Sequence, residues 1–213
     1  MGRMKQAEII TELGPFEEGG QVHGVTWDGE KVWFASGPRL NAVDPASGRI
    51  TRRIDVPADA GTVFDGRYLY QLAGTQIRRI DPSTGAVLAT IPAPGGETCG
   101  SGLTWAEGTL WIGQYQDRCI HQIDPETGRV LRTLRSDRFV TGVTWVDGEL
   151  WHGTWEGDES ELRRVDLDSG EVRERVAMPA GTLVSGLEAG GNGQFFCGGG
   201  SSGKLRVVKR PRS

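Results

Sequence analysis

His23, His152 and Glu156 are the side chains in this sequence best suited to acid–base chemistry. A histidine changes charge near neutral pH and can act as base, acid or metal ligand. Glu156 stands in a run with Asp158, Glu159 and Glu161, and any of these carboxylates could serve as a general base. Each candidate also has a plainer reading. A single histidine in a folded chain is usually a hydrogen-bonded structural residue, and a charged loop tip is usually solvated. His121 falls on a strand at the level of Asn41, Arg78 and Arg163, so it reads as an exposed face residue. No H-x-H or H-E-x-x-H spacing occurs, so no cofactor is expected, although a metal ion in a central channel is left open. The sequence has no G-x-S-x-G elbow and no phosphate-binding loop.

The elements that must position these groups come from a repeat. Gly24-Val25-Thr26-Trp27-Asp28-Gly29-Glu30-Lys31-Val32-Trp33 returns at Gly61–Tyr70, Gly102–Trp111, Gly142–Trp151 and, most worn, Gly186–Phe195. The copies are about forty residues apart, a period that signals a radial or solenoid array. Each copy is a hairpin. A third strand follows, and then a turn such as Asp44-Pro45-Ala46-Ser47-Gly48, Asp81-Pro82-Ser83-Thr84-Gly85, Asp124-Pro125-Glu126-Thr127-Gly128 or Asp166-Leu167-Asp168-Ser169-Gly170. Asp can bond its own backbone two residues on, Pro presets φ, and Gly accepts a positive φ. A fourth strand completes the unit, which is one blade of a propeller.

The fifth copy ends without a fourth strand, whereas the N-terminal strand has no blade before it. The expected fold is therefore an all-β, five-bladed propeller whose last blade is closed by the N-terminal strand. One domain spans 1–213, with the closing strand at 7–14 and blades at about 21–57, 60–94, 100–136, 141–179 and 185–209. Residues 1–6 read as a flexible arm. Trp27, Phe64, Trp105 and Trp145 share one register; Trp33, Tyr70, Trp111, Trp151 and Phe195 share another. A role repeated in every blade reads as packing between blades rather than as an aromatic cage. Trp155 has no counterpart in the other blades.

Function is expected where the copies disagree, on loops gathered around the channel. The residues just before the repeat glycines are His23, Ala60, Ser101, Thr141 and Ser185, a mostly hydroxyl-bearing ring at the channel mouth. Past the second strands lie Ser36, the run Gln114-Tyr115-Gln116-Asp117-Arg118, and Thr154 to Glu159. Gln71 and His152 stand inside second strands, where Phe34, Ile112 and Phe196 are apolar. The connections between blades add Glu97, Cys99 and Arg138. The expected ligand-binding set is Gln71, Trp155, Ser101, Thr141, Ser185, Gln114 and Arg138.

Bulk properties narrow the partners. A formal charge of −4 argues against nucleic acid. No apolar run is long enough to cross a bilayer, and the first residues lack the apolar core of a secretory signal. Cys99, Cys119 and Cys197 are odd in number and widely spaced, which suits free thiols in a cytoplasmic protein. The 33 glycines fit many short strands and tight turns. A small molecule or peptide is the expected partner.

Leu150-Trp151-His152-Gly153-Thr154-Trp155 with Leu162-Arg163-Arg164-Val165-Asp166, the final blade from Gln194 to Leu205, and Leu69-Tyr70-Gln71-Leu72 resemble bacterial and plant glutamine cyclotransferases. The resemblance covers nearly the whole chain and implies a five-bladed propeller. That family converts N-terminal glutamine of peptides to pyroglutamate with release of ammonia. Gln71 and Trp155 match its functional positions. Its acid–base glutamate falls at Phe34, another functional tryptophan at Gly74, its N-E-L-E segment at Thr141-Gly142-Val143-Thr144, and its last-blade Lys and Trp at Gly200 and Ser202. Loss of an acid–base group typically removes about 10²–10⁴-fold in rate. The resemblance therefore implies a propeller that binds a small polar ligand or peptide end, with little cyclotransferase activity expected. Gly29-Glu30-Lys31-Val32-Trp33-Phe34 and Asp44-Pro45-Ala46-Ser47-Gly48 also resemble the repeat of virginiamycin B lyases, which implies a lyase or hydrolase with His23 or His152 as base. A non-catalytic, protein-binding scaffold is the third alternative.

Overall fold

The computed structural model describes residues 4–16, 20–96 and 100–211, so Glu97 and Cys99 lie outside the described residues. All regular elements among those described are strands. Blade 1 is formed by β3 (Val25–Trp27), β4 (Val32–Ala35), β5 (Gly37–Val43) and β6 (Ile50–Ala58). Blade 2 has β7 (Thr62–Phe64), β8 (Leu69–Ala73), β9 (Gln76–Ile80) and β10 (Val87–Pro92). Blade 3 has β11 (Gly100–Ala106), β12 (Thr109–Gln114), β13 (Cys119–Ile123) and β14 (Val130–Arg135). Blade 4 has β15 (Val140–Val146), β16 (Glu149–Glu156), β17 (Glu159–Val165) and β18 (Val172–Ala177). Blade 5 combines β19 (Gly186–Gly190), β20 (Gln194–Gly198) and β21 (Leu205–Lys209) with the N-terminal β2 (Ile9–Leu13). The five sheets form a five-bladed propeller, with the last blade closed as the repeat implies.

The N-terminal arm does more than close one blade. Lys5–Gln6 form a short strand, β1, paired in parallel with β18 of blade 4, and the Ala7 amide donates to Ala177 O at 2.8 Å. The expectation of a flexible arm over residues 1–6 is corrected for Lys5 and Gln6. One segment thus spans blades 4 and 5 and joins them through backbone hydrogen bonds.

The turns before the outer strands form as their sequence dictates. The Asp44 carboxylate accepts from Ala46 N at 2.9 Å, and Gly48 N donates back to Asp44 O at 2.8 Å with Gly48 at φ 69°. The same carboxylate and amide contacts recur around Asp81, Asp124 and Asp166. These hydrogen bonds hold all four carboxyls below the usual aspartate range.

The repeat glycines have a second explanation, which is contact between blades. A Cβ on Gly24 would lie 2.4 Å from Ala60 O, and one on Gly61 would lie 2.5 Å from Leu103 N. On Gly102 it would lie 2.5 Å from Thr141 O, on Gly142 2.1 Å from Leu187 N, and on Gly186 2.3 Å from His23 O. Each inner strand therefore presses its glycine against the backbone of the next, and the fifth closes on the first. Space, rather than unusual φ, excludes any side chain here.

Outside this ring the blades are joined by aromatic residues. Trp33 packs in a cluster that Phe64 covers. Tyr70 stacks on Trp105 at 5.5 Å and Trp111 on Trp145 at 6.3 Å, while Trp151 meets Phe195 at 5.3 Å and Phe196 meets Trp27 at 5.5 Å. The fifth blade corrects the expected register. Phe196, not Phe195, pairs opposite Glu188 as Trp33 pairs opposite Thr26, and Cys197 takes the place aligned with Phe34 and Ile112. Ala189 stands where the other first strands carry an aromatic ring, and Phe195 supplies the missing ring against Trp151. Burial of these rings, with Trp33, Tyr70, Trp111, Trp151, Phe195 and Phe196 nearly inaccessible, provides much of the force that holds neighbouring blades together.

Candidate functional site at the channel mouth

The residues one step before the glycine ring cannot enter it, so they gather at its rim. A concavity of about 430 Å³ opens there, lined by His23, Ser101, Thr141 and Ser185 from the rim and by Trp155 from the end of β16. Asp59, Tyr115, Leu183 and Ser201 complete the wall. The ring explains why small hydroxyl residues suit the rim. Ser101 Oγ donates to Val140 O at 2.6 Å in the next blade, and Ser185 Oγ donates to Val22 O and accepts from Gly200 N at 3.0 Å. Thr141 Oγ1 is different. It is buried and has no hydrogen-bond partner among the described residues.

His23 is half-buried. Burial pushes its imidazole below the ordinary histidine value, and the Asp59 carboxylate opposes that shift. The ring is therefore predominantly neutral at neutral pH, the form that accepts a proton or a hydrogen bond. Trp155 keeps 38% of its surface exposed. Its indole N–H is already used, donating to Gly157 O at 2.6 Å, so the ring offers its apolar face. Tyr115 stands 6.4 Å from it and stacks on Phe139 at 4.7 Å. One side of the mouth is thus aromatic, and the other carries hydroxyls, an imidazole and a carboxylate.

The remaining sequence-derived candidates do not line this mouth. Gln71 is fully buried, and its Nε2 donates to Leu72 O at 2.6 Å and Ala60 O at 3.3 Å. It braces the rim residue Ala60. Gln114 is also fully buried and donates to Pro94 O at 2.7 Å. His152 is sealed in blade 4, where its Nδ1 donates to Gly153 O at 3.1 Å and burial pushes its value down to about 4. The imidazole is thus closed off from the mouth. His121 proves half-buried rather than exposed, with Nδ1 at 2.8 Å from Thr133 Oγ1.

Glu156 and Arg138 belong to an ion-pair network beside the mouth. Glu156 lies 3.2 Å from Arg118 and 3.9 Å from Arg138, and Arg138 also reaches Glu159 at 3.6 Å and Glu161 at 3.5 Å. Beneath them Arg163 is fully buried, held by Glu161 at 2.7 Å and by Asp137. These carboxylates are engaged by guanidinium groups, and their arrangement is that of a brace between blades 3 and 4. Among the described residues, no three His, Cys, Asp or Glu side chains converge to form a ligand set for a metal ion.

Sequence reasoning missed Asp59, Leu183 and Ser201 as wall residues. Asp59 carried a usable signal, since it immediately precedes the rim residue Ala60. Leu183 and Ser201 carried none, because they enter from segments outside the repeated hairpin. Tyr115 fell within a run that the repeat flagged, but its direction depended on the fold.

Fold and site together define a five-bladed propeller with a glycine-closed inner ring and one polar, aromatic-flanked mouth. The fold is similar to that of the Myxococcus xanthus glutaminyl cyclase, with a TM-score of 0.81 over 98% of each chain at 15% identity. A chain of the mitotic checkpoint complex is more distantly similar, with a TM-score of 0.55 over 90% of this chain and 64% of that one, also at 15% identity. No protein-family model matches the sequence, nor does any curated protein. Among the described residues no helix is long and apolar enough to cross a membrane.

Proposed function

We propose that the channel mouth binds a small polar molecule or the end of a peptide, and that it does so as a binding site with little or no cyclotransferase chemistry. The observation that carries this reading is Thr141. A buried hydroxyl without a partner costs free energy, about 1–3 kcal/mol, and this one belongs to a residue in the wall of an open concavity, its oxygen covered beside Gly153. A ligand in the mouth recovers that cost when the threonine side chain turns its hydroxyl outward to meet it. His23, Asp59, Ser201 and the indole face of Trp155 supply the remaining polar and apolar contacts. The position that would hold the acid–base glutamate of a cyclotransferase is Phe34, which is buried and stacked on Phe16 at 4.7 Å. A phenyl ring there can pack but cannot move a proton. That substitution supports binding over catalysis.

Thr141→Val tests the reading. Valine keeps the shape and removes the unpartnered hydroxyl, so thermal stability should stay equal or rise slightly. Titration calorimetry with the tripeptide Gln-Phe-Ala should show saturable binding to the wild type and at least a tenfold loss in the variant. Equal affinity in both proteins, or no binding to the wild type at millimolar peptide, defeats the proposal. Catalytic release of ammonia from the same peptide would overturn the preference for binding over chemistry.

A further inference from the structure

The aromatic side of the mouth is a corner rather than a stack. Trp155 and Tyr115 both line the concavity, and their rings lie 6.4 Å apart at 44°. Both rings are held in place. The indole N–H of Trp155 is tied to Gly157 O at 2.6 Å, and Phe139 stacks on Tyr115 at 4.7 Å. Among the described residues Trp155 is the only aromatic side chain that the fold leaves exposed. Every other ring is buried or half-buried. Charge at the mouth has one sign. Asp59 is the only carboxylate among the described lining residues, and no lysine or arginine lines the mouth with it. Asp59 is exposed and accepts from Gly74 N at 3.4 Å. The internal stretches outside the described residues, 17–19 and 97–99, contain no lysine or arginine. Arg118 and Arg138 are not part of the lining and are paired with Glu156, Glu159 and Glu161.

We infer that the mouth selects a small organic cation, a methylated ammonium group on a hydroxyl-bearing body, over neutral or anionic molecules of the same shape. The inference rests on the proposed reading of the mouth and names the class of its ligand. The face of an aromatic ring carries partial negative charge and attracts a cation within about 6 Å of its centre. Two rings set at an angle with centres 6.4 Å apart let one cation meet both. A fully methylated nitrogen has no N–H to satisfy, so ring faces suit it and the lack of nearby acceptors costs it nothing. The Asp59 carboxylate adds attraction across the concavity without direct contact. The ligand's hydroxyl would donate to the neutral imidazole of His23. A carboxylate or phosphate on the ligand would instead face Asp59, with no lining cation to receive it.

Ligand-observed proton NMR on the full chain tests this, because each probe reports through its equivalent methyl protons. The probes are choline, glycine betaine, phosphocholine, and the uncharged isostere of choline in which a tert-butyl group replaces the trimethylammonium group. Choline should bind at least fivefold tighter than the isostere, and tighter than betaine or phosphocholine. Trp155→Leu should weaken choline roughly fivefold, whereas Trp155→Phe keeps a ring face and should lose less. Asp59→Asn should weaken it roughly threefold, an effect that fades as salt rises. Both positions are exposed, and thermal melting confirms that the ring of blades is intact. Equal affinity for choline and the isostere overturns the inference. So does tighter binding of betaine or phosphocholine, a choline affinity indifferent to Trp155→Leu, or no choline binding at tens of millimolar. The tripeptide Gln-Phe-Ala, titrated alongside, separates this failure from failure of the mouth reading. If the tripeptide binds through Thr141 and choline does not bind, the mouth reading stands and the cation preference falls. If choline is preferred and depends on Trp155 but Thr141→Val changes neither ligand, the cation site stands and the Thr141 reading falls. If neither ligand binds, both fall.

Discussion

The glycine ring and the mouth rim are one residue apart in every blade, yet they obey opposite rules. Gly24, Gly61, Gly102, Gly142 and Gly186 are the same residue five times, because each must admit the backbone of the next blade. His23, Ala60, Ser101, Thr141 and Ser185 occupy the preceding position and nearly all differ. Nothing presses on the rim from the next blade in that way, so its residue types answer to other demands. The contrast teaches that identity across a repeat reports packing, and that difference across it is only a place to look. His152 and Glu188 are differences as well, and neither lines the mouth: His152 is buried in blade 4, and Glu188 is half-buried in blade 5.

The contrast breaks most sharply at Gly142. A Cβ there would lie 2.1 Å from Leu187 N, and backbone cannot yield as a flexible side chain can. Gly142→Ala should cost about 3 kcal/mol or more, lowering the melting temperature by roughly 10 °C for a chain of this size. Beside it, Thr141→Val should cost nothing. Differential scanning calorimetry on the pair measures both, and a benign Gly142→Ala would show that the ring is not packing-limited.

A pH profile sharpens the reading of His152 as structural. Its folded value is depressed from 6.5 to about 4, so the unfolded chain takes up a proton that the folded one refuses. The stability linked to this site is complete above the unfolded value and is lost as pH falls from about 6.5 towards 4, up to roughly 3 kcal/mol. Urea unfolding of His152→Leu should show a shallower acid loss than the wild type over that window. Parallel profiles would place the imidazole in contact with solvent.

The smallest effect belongs to Glu188, which stands at the position held by Thr26, Thr104 and Thr144 in three other blades. The residue as a whole keeps some exposed surface, but the protein surrounds its carboxyl. Desolvation raises its value well above the usual range, against a hydrogen bond from Thr144 Oγ1 at 3.4 Å. A raised value means that the site's contribution is intact below the ordinary carboxyl range and is lost as pH climbs through the folded value. Glu188→Gln removes that loss. It should stabilise the protein by about 1 kcal/mol at neutral pH and by little in acid, as read from denaturant midpoints. Destabilisation at neutral pH would instead mark the carboxylate as a partner for something the ring holds.

Five blades, their strand order and the N-terminal closure follow from the sequence itself, because each blade writes the same turn chemistry and the same apolar alternation. Asp-x-x-x-Gly turns and the repeat glycines act locally or between identical neighbours, so one chain read against itself exposes them. The rim residues His23, Ser101, Thr141 and Ser185 were legible for the same reason, being fixed to the glycine beside them. The tertiary structure decided everything that depends on direction or on distant segments. It buried Gln71, Gln114 and His152, tied Glu156 and Arg138 into an arginine–carboxylate brace, and brought Asp59, Leu183 and Ser201 to the mouth. It moved the fifth-blade aromatic by one position, because Ala189 left a gap beside Trp151 that Phe195 could fill. A repeat specifies which positions are equivalent. Which side chains meet across the axis is set by the closing of the ring, and no single blade contains that information.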